Sequence, residues 1–211
     1  MKRVSFVVAA MLALGTASAA RAQGLVVGPY AEFQTGFTVG STVGGLFGGE
    51  AGFSANTFDI YFEGGKMLNT KSSEMDAAAA TIAASLGQGA TFEASQPTNY
   101  FDIGFWYKFP TTGKYQPYAG IGLGSAGVTR ETKFFDASGK DITGDLLSMG
   151  VQLGGDLQGS ERGFLFTVGG GARIGLTGQL FADVSYRYGH VSISSGGVNT
   201  NRIQFGIGAH F

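Results

Sequence analysis

Apolar and polar residues alternate with a period of two along eight stretches of this chain. In Phe101-Asp102-Ile103-Gly104-Phe105-Trp106-Tyr107-Lys108-Phe109 the odd positions are Phe, Ile, Phe, Tyr and Phe, and the even ones Asp, Gly, Trp and Lys. Neighbouring side chains of a strand point to opposite faces, so one face of this segment is apolar and the other bears charge. The same reading predicts strands over 25–39, 43–53, 57–68, 98–109, 114–129, 163–176, 178–189 and 199–211. Phe33, Phe37 and Val39 oppose Glu32 and Gln34 in the first. Phe58, Ile60 and Phe62 oppose Asp59 and Glu63 in the third. Val184, Tyr186 and Tyr188 oppose Asp183 and Arg187 in the seventh, and Ile203, Phe205, Ile207 and Phe211 oppose Arg202 and Gln204 in the last.

Too little chain lies outside these strands to cover eight apolar faces, so lipid is the expected cover. Backbone groups in hydrocarbon must all be satisfied internally, which requires the sheet to close. The expected fold is all-β: a closed antiparallel eight-stranded transmembrane β-barrel with a short helix in an outer loop. Short turns at 54–56, 110–113 and 177–178 alternate with longer connections at 69–97, 130–162 and 190–198, which places both termini on the periplasmic side. The connection at 40–42 is a short outer one. In the second outer loop Ser73 is read as a helix cap, followed by acidic Glu74 and Asp76. Met75, Ala79, Ile82 and Leu86 then give a narrow apolar stripe, predicting a surface helix over the rim. Residues 141–153 read equally as a second helix or as strands extended beyond the membrane. Eight strands leave an interior only wide enough for side chains, so a plugged barrel is expected.

The beginning of the chain changes the picture by naming a compartment. Met1-Lys2-Arg3 is basic, Val4 to Leu14 is a short apolar run, and Ala20-Arg21-Ala22 fits a small-x-small cleavage pattern. Residues 1–22 are expected to be a cleaved signal peptide and residues 23–211 the barrel. Losing Lys2, Arg3 and Arg21 takes the formal net charge from −1 to −4, which argues against a nucleic-acid partner. There is no cysteine, hence no disulfide framework and no thiolate chemistry. No metal cluster and no cofactor are expected, since His190 and His210 fall at opposite ends of the barrel.

The charge-bearing face gathers Glu32, Glu50, Asp59, Glu63, Asp102, Lys108, Arg173, Asp183, Arg187 and Arg202 into a predicted lumen network. One reading is a narrow ion path gated by shifting Arg–carboxylate pairs. The other is structural, and it takes precedence because buried charges must be paired in any case. Phe53, Phe58, Phe109, Tyr115 and Phe211 near the short turns, with Phe37, Tyr186 and Tyr188 towards the other end, are expected to form interfacial aromatic girdles. His190 and Ser192 are the only pair resembling nucleophilic equipment. Spacing supplies no third partner.

Four segments carry a family resemblance: Gly28-Pro29-Tyr30, Pro117-Tyr118-Ala119-Gly120-Ile121-Gly122, Leu180 through Tyr188, and Ile203-Gln204-Phe205-Gly206-Ile207-Gly208 ending at Phe211. On these the chain resembles the small outer-membrane β-barrel proteins of Gram-negative bacteria, opacity-type and OmpA membrane-domain-like. The resemblance implies an outer-membrane location among lipid and lipopolysaccharide. It also implies recognition of Phe211 by the barrel-assembly machinery. The filled lumen, the long outer loops and the missing catalytic acid give the expected function, a non-enzymatic role in envelope integrity with surface partners met through loops 69–97 and 130–162. A second resemblance is to the lipid A deacylases, which carry a His-x-Ser-Asn motif leaving the seventh strand and an acid on the eighth. His190 and Ser192 match that motif, while Ile193 stands at its Asn and Gln204 at its acid.

Overall fold

The computed structural model describes residues 27–40 and 42–211; the signal-peptide expectation lies outside them. Nine strands form: β1 (Gly28–Val39), β2 (Gly45–Ser54), β3 (Phe58–Met67), β4 (Thr91–Ser95), β5 (Thr98–Lys108), β6 (Tyr115–Phe135), β7 (Gly159–Gly175), β8 (Leu180–Ile193) and β9 (Gly196–His210). One helix, α1 (Ser73–Ser85), precedes β4. Every strand but β4 joins a single antiparallel cycle, closed by β1 pairing with β9 and by β6 pairing with β7. β4 adds only to the outer end of β6, from Thr91↔Phe135 to Ser95↔Glu131. The result is a closed eight-stranded barrel.

Register fixes the tilt. From Phe33 the pairing runs through Gly49, Gly64, Phe101, Ser125, Phe164, Ser192 and Gly197. Gly197 lies four residues past Asn201, whose partner is Val39. The circuit therefore returns to the line of β1 ten residues beyond Phe33, the stagger of strands inclined to the axis. Phe211 donates its N–H to Pro29 O at 2.9 Å, so the chain's end is stitched to the start of β1 at the short-turn end.

The two faces separate as period two requires. Phe33, Phe47, Phe62, Phe101, Ile103, Leu123, Phe164 and Ile207 stand exposed on the outside, while Glu32, Glu50, Glu63, Asp102 and Arg187 are buried inside. An exposed apolar band of this extent on a polar-filled cylinder is the lipid-facing surface of a transmembrane barrel. Girdle candidates Phe53, Phe58, Phe109, Tyr115, Phe37 and Tyr186 all point outward. Tyr186 and Tyr188 donate to Asn201 at 2.6 Å and Asn199 at 2.8 Å.

Beyond the band the barrel departs from the expected plan. The connection read as a long loop at 190–198 is a tight hairpin, with only Ser194 and Ser195 between β8 and β9. β6 and β7 run out to Phe135 and Gly159, so both strands extend into the third loop, while residues 136–158 between them are turns and irregular chain with one 3₁₀ turn at Thr143–Asp145, neither an α-helix nor extended strand over 141–153. The cap of α1 is Ser72 rather than Ser73: its hydroxyl accepts from the Met75 N–H at 3.3 Å. Met75, Ala79 and Ala83 of α1 then bury against Phe134, Ile142, Leu146 and Leu157. This second small core holds the loops together above the rim, out of lipid.

Candidate functional site

The lumen is built from the inward side of the same alternation. All ten charged residues picked from the sequence lie inside the barrel and are buried. Glu50 is the hub. It accepts from Tyr30 Oη at 2.7 Å, from Trp106 Nε1 at 3.3 Å, from Arg173 Nη2 at 2.9 Å and from Arg187 Nη2 at 2.8 Å. Glu63 is the second hub, taking Arg187 Nη1, Arg202 Nη1 at 3.3 Å, Tyr100 Oη at 2.9 Å and Gln204 Nε2 at 2.9 Å. Near the short-turn end Asp59 pairs with Arg173 and, at 2.7 Å, with Lys108 Nζ. Asp183 accepts from Tyr118 Oη at 2.8 Å, and Arg173 Nε lies 3.9 Å away.

Two carboxylates stand apart. Asp102 accepts from Thr167 Oγ1 at 2.8 Å and Glu32 from Gln34 Nε2 at 3.2 Å. Neither has a cation within ion-pair distance among the described residues. Six lumen carboxylates thus face four lumen cations.

The aromatic rings complete the packing. Tyr61 and Trp106 stack at 4.5 Å, and Arg187 lies over the Trp106 ring at 4.6 Å. Arg173 and Arg202 lie over Tyr30 and Tyr100, each at 4.3 Å. These contacts suit guanidinium groups drawn out of water. Space for them comes from glycines on the facing strands: a Cβ on Gly104 or Gly122 would collide with the Tyr61 hydroxyl, and one on Gly206 with the Glu32 carboxylate.

Sequence reading missed what lies outward of this network. Leu46, Met67, Ala126, Val128, Leu165, Val191 and Val198 also point inward and form a buried apolar layer across the bore. The expectation of a polar interior fails there because these apolar side chains pack against one another across the bore, behind an exterior that is still apolar at Phe47, Phe164 and Phe166. The phase of Tyr30, Trp106, Thr167 and Gln204 already put them on the inward side; what sequence reading did not supply is that they and Tyr100 donate to the lumen carboxylates.

The second candidate site is dispersed. His190 sits on the outer face of β8 with Nδ1 2.7 Å from Asn199 Oδ1. An amide oxygen thus occupies the place a catalytic acid would take, and no hydrogen bond joins His190 to Ser192 among the described residues. Gln204 points to the other side of the wall, bonded to Glu63 and to Gln34 at 3.1 Å. His210 packs at the far end, 5.0 Å from the Phe181 ring. Among the described residues no group of three or more His, Cys, Asp or Glu is placed to hold a metal.

At the outer rim Arg130 donates to Glu161 Oε2 at 2.8 Å and to Ser195 Oγ at 3.0 Å, tying β6 and β7 to the β8–β9 hairpin. The Glu161 carboxyl is held below the usual range, first by the Ser195 hydroxyl and then by Arg130.

Comparison with known proteins agrees with this architecture. The crystal structure of Neisserial surface protein A superposes with a TM-score of 0.57 at 14% identity, covering 87% of this chain and 96% of that one. The N-terminal β-barrel domain of Pseudomonas aeruginosa OprF gives a TM-score of 0.50 at 16% identity, covering 86% and 97%. At such identities the likeness is one of fold. No curated protein sequence matches the chain. The family model for the outer membrane protein beta-barrel domain matches residues 6–211. With strand circuit, lipid-facing band and family model in agreement, the chain belongs to the outer membrane protein beta-barrel domain family.

Proposed function

We propose that this protein is a non-enzymatic surface barrel that supports envelope integrity and contacts neighbouring or host surfaces through loops 69–97 and 130–162. The observation that carries this reading is the double filling of the bore. A cross-linked charge network occupies its middle, and an apolar layer lies outward of it. Water and ions avoid apolar constrictions, so transport is not what this interior favours. The ordered core joining α1 to Phe134, Ile142 and Leu157 supports a presenting role for the loops. A barrel that offers His190 only an amide partner gives deacylation no charge to stabilise an imidazolium. In this reading Phe211 serves as the assembly signal, and lipid with lipopolysaccharide surrounds the band.

The test is deletion with complementation. Cells lacking the protein should lose resistance to detergent and bile salts. A form with 130–162 replaced by a short turn should restore resistance but not binding to surfaces. Purified protein in planar bilayers and in a lipid A hydrolysis assay should be silent. Unit conductance steps or fatty-acid release would replace this reading with one of its rivals.

A further inference from the structure

Two cations stand on the outside of the barrel, and strand register puts them in one row. Lys66 of β3 is paired with Asn99 of β5, Asn99 with Gly127 of β6, and Gly127 with Arg162 of β7. The chain neighbours Met67, Thr98, Tyr100, Ala126 and Val128 are buried on the inner face, so the row itself faces outward. Among the described residues neither Lys66 nor Arg162 has a carboxylate within ion-pair distance. Glu161, next to Arg162 in the chain, is turned onto Arg130. Glu131, on the outward face of β6, lies four residues beyond Gly127. In β1, β2, β8 and β9 the outward positions hold no Lys, Arg, Asp or Glu.

Gly127 makes the centre of the row a notch. A Cβ there would meet nothing within 4 Å, and a strand glycine often marks a place where a ligand approaches the backbone. One step nearer the rim, Thr129 and Ser160 face each other across β6 and β7, their hydroxyls 2.9 Å apart and exposed. One step nearer the middle of the band, Ser125 lies between Phe101 and Phe164, both exposed. The small residues Gly127 and Ser125, walled by longer ones on β5 and β7, leave a shallow groove along β6. It runs from the polar rim into the lipid-facing band.

We infer that this groove holds the phosphorylated headgroup of an outer-leaflet glycolipid, with a phosphate over Gly127 and an acyl chain over Ser125. The chemistry selects the occupant. Two cations without a carboxylate partner call for an anion, and a guanidinium meets phosphate through two parallel hydrogen bonds. The Asn99 amide and the two hydroxyls supply neutral partners for sugar oxygens. Phe101 and Phe164 give the lipid tail apolar walls that a water-soluble anion would leave unused. The stagger of the strands makes the row climb outward from β3 to β7, so Lys66 lies lowest, about 10 Å from Gly127 across two strands. Its flexible stem carries the ammonium up to the level of the headgroup. The placing on one side of the barrel makes this a site rather than a belt. The inference deepens the envelope part of the function proposed above and rests on its lipopolysaccharide surroundings.

The experiment uses the full barrel in nanodiscs of zwitterionic phosphatidylcholine doped with bis-phosphorylated lipid A. Binding is read from the backbone amide resonances of the barrel. Lipid A should shift Asn99, Gly127 and Arg162 and leave Tyr188 and Asn201, on the opposite wall, unmoved. Lipid A stripped of its phosphates should bind about tenfold more weakly, the loss of one charge-assisted hydrogen bond. Arg162→Gln and Lys66→Gln should each weaken binding by a similar factor. Lys133→Gln, on the outward face of β6 but beyond the notch, should change nothing. Gly127→Phe fills open space and should block the groove. Retained heat-modifiable migration on gels certifies that each variant is folded. Equal binding of the dephosphorylated lipid, shifts spread evenly round the barrel, or equal weakening by Lys133→Gln and Arg162→Gln would overturn the proposal. Inorganic phosphate alone should leave the three amides in place. Shifts from it as large as those from lipid A would overturn the proposal in favour of a free-phosphate site, and the same shifts from a soluble sulfated polysaccharide would overturn it in favour of a glycan. If lipid A fails to bind while deletion still costs detergent resistance and loop-dependent adhesion persists, the inference falls and the function proposed above stands.

Discussion

Glu50 and Asp102 are both buried lumen carboxylates, and the structure predicts that neutralising them has very different consequences. Glu50 takes two guanidinium groups, from Arg173 and Arg187, besides the Tyr30 hydroxyl and the Trp106 indole. Glu50→Gln takes one carboxylate from each of two buried guanidinium groups, leaving Arg173 with Asp59 and Arg187 with Glu63, and removing one partner of a buried pair costs about 3–5 kcal/mol. The glutamine keeps one acceptor, which places the expected loss near the lower end, about 3 kcal/mol. That is about a hundredfold in the folding equilibrium, since roughly 1.4 kcal/mol is tenfold. Asp102 has only the Thr167 hydroxyl. Asp102→Asn keeps an acceptor for it and removes an uncompensated charge, so the expected change is within about 1 kcal/mol of zero. The assay is urea unfolding in phospholipid vesicles, followed by the single tryptophan, Trp106, and by gel mobility as a second probe. Midpoints should move and slopes should not. Equal destabilisation by the two substitutions would refute the reasoning, because it would mean that lumen charges count by burial alone and not by partner.

Four further outcomes follow from other parts of the molecule. Spin labels at positions 102 and 103 should divide sharply, the second relaxed by dissolved oxygen and the first shielded from it, and equal behaviour would contradict the assigned faces. Ile103→Arg, on the lipid face, should destabilise the barrel by about 2–4 kcal/mol in the same unfolding assay. Ser72→Ala removes the cap of α1 and should cost about 1 kcal/mol locally, read as faster hydrogen exchange in α1 with barrel amides unchanged. The Glu161 carboxyl is depressed on folding, so its tie to Ser195 is fully present above the ordinary glutamate range, near pH 4.3. The tie is lost as pH falls through the lowered value. The Ser195 amide, which donates to Glu161 Oε1 at 3.2 Å, should therefore shift only below the ordinary glutamate range, and a titration centred at neutral pH would contradict the assignment.

The membrane part of the fold was legible because lipid imposes one rule on every strand. Phe101 to Phe109 read correctly residue by residue, Trp106 included. The rule weakens where the bore is filled by apolar side chains as well. Phe164-Leu165-Phe166 has no alternation to read, since Leu165 belongs to the inner apolar layer while its neighbours face out. His190 through Gly197 looked like loop because its polar and glycine content suits one, yet pairing with β7 and within the hairpin extends both strands through it. The inward charges were legible as a set but their partners were not. Arg187 reaches Glu50 across 137 positions of chain, and no local spacing encodes such a choice.

The stacked rings of Tyr61 and Trp106 have a consequence for anyone wishing to re-engineer this molecule. The hoop behind them, at Gly104, Gly120 and Gly122, contributes no side chains of its own. Trimming the two rings would thus hollow out the cylinder more than its strand count suggests. A conduit made that way would keep its diameter, its lipid collar and its outer platform, and would differ from the parent only in its furniture.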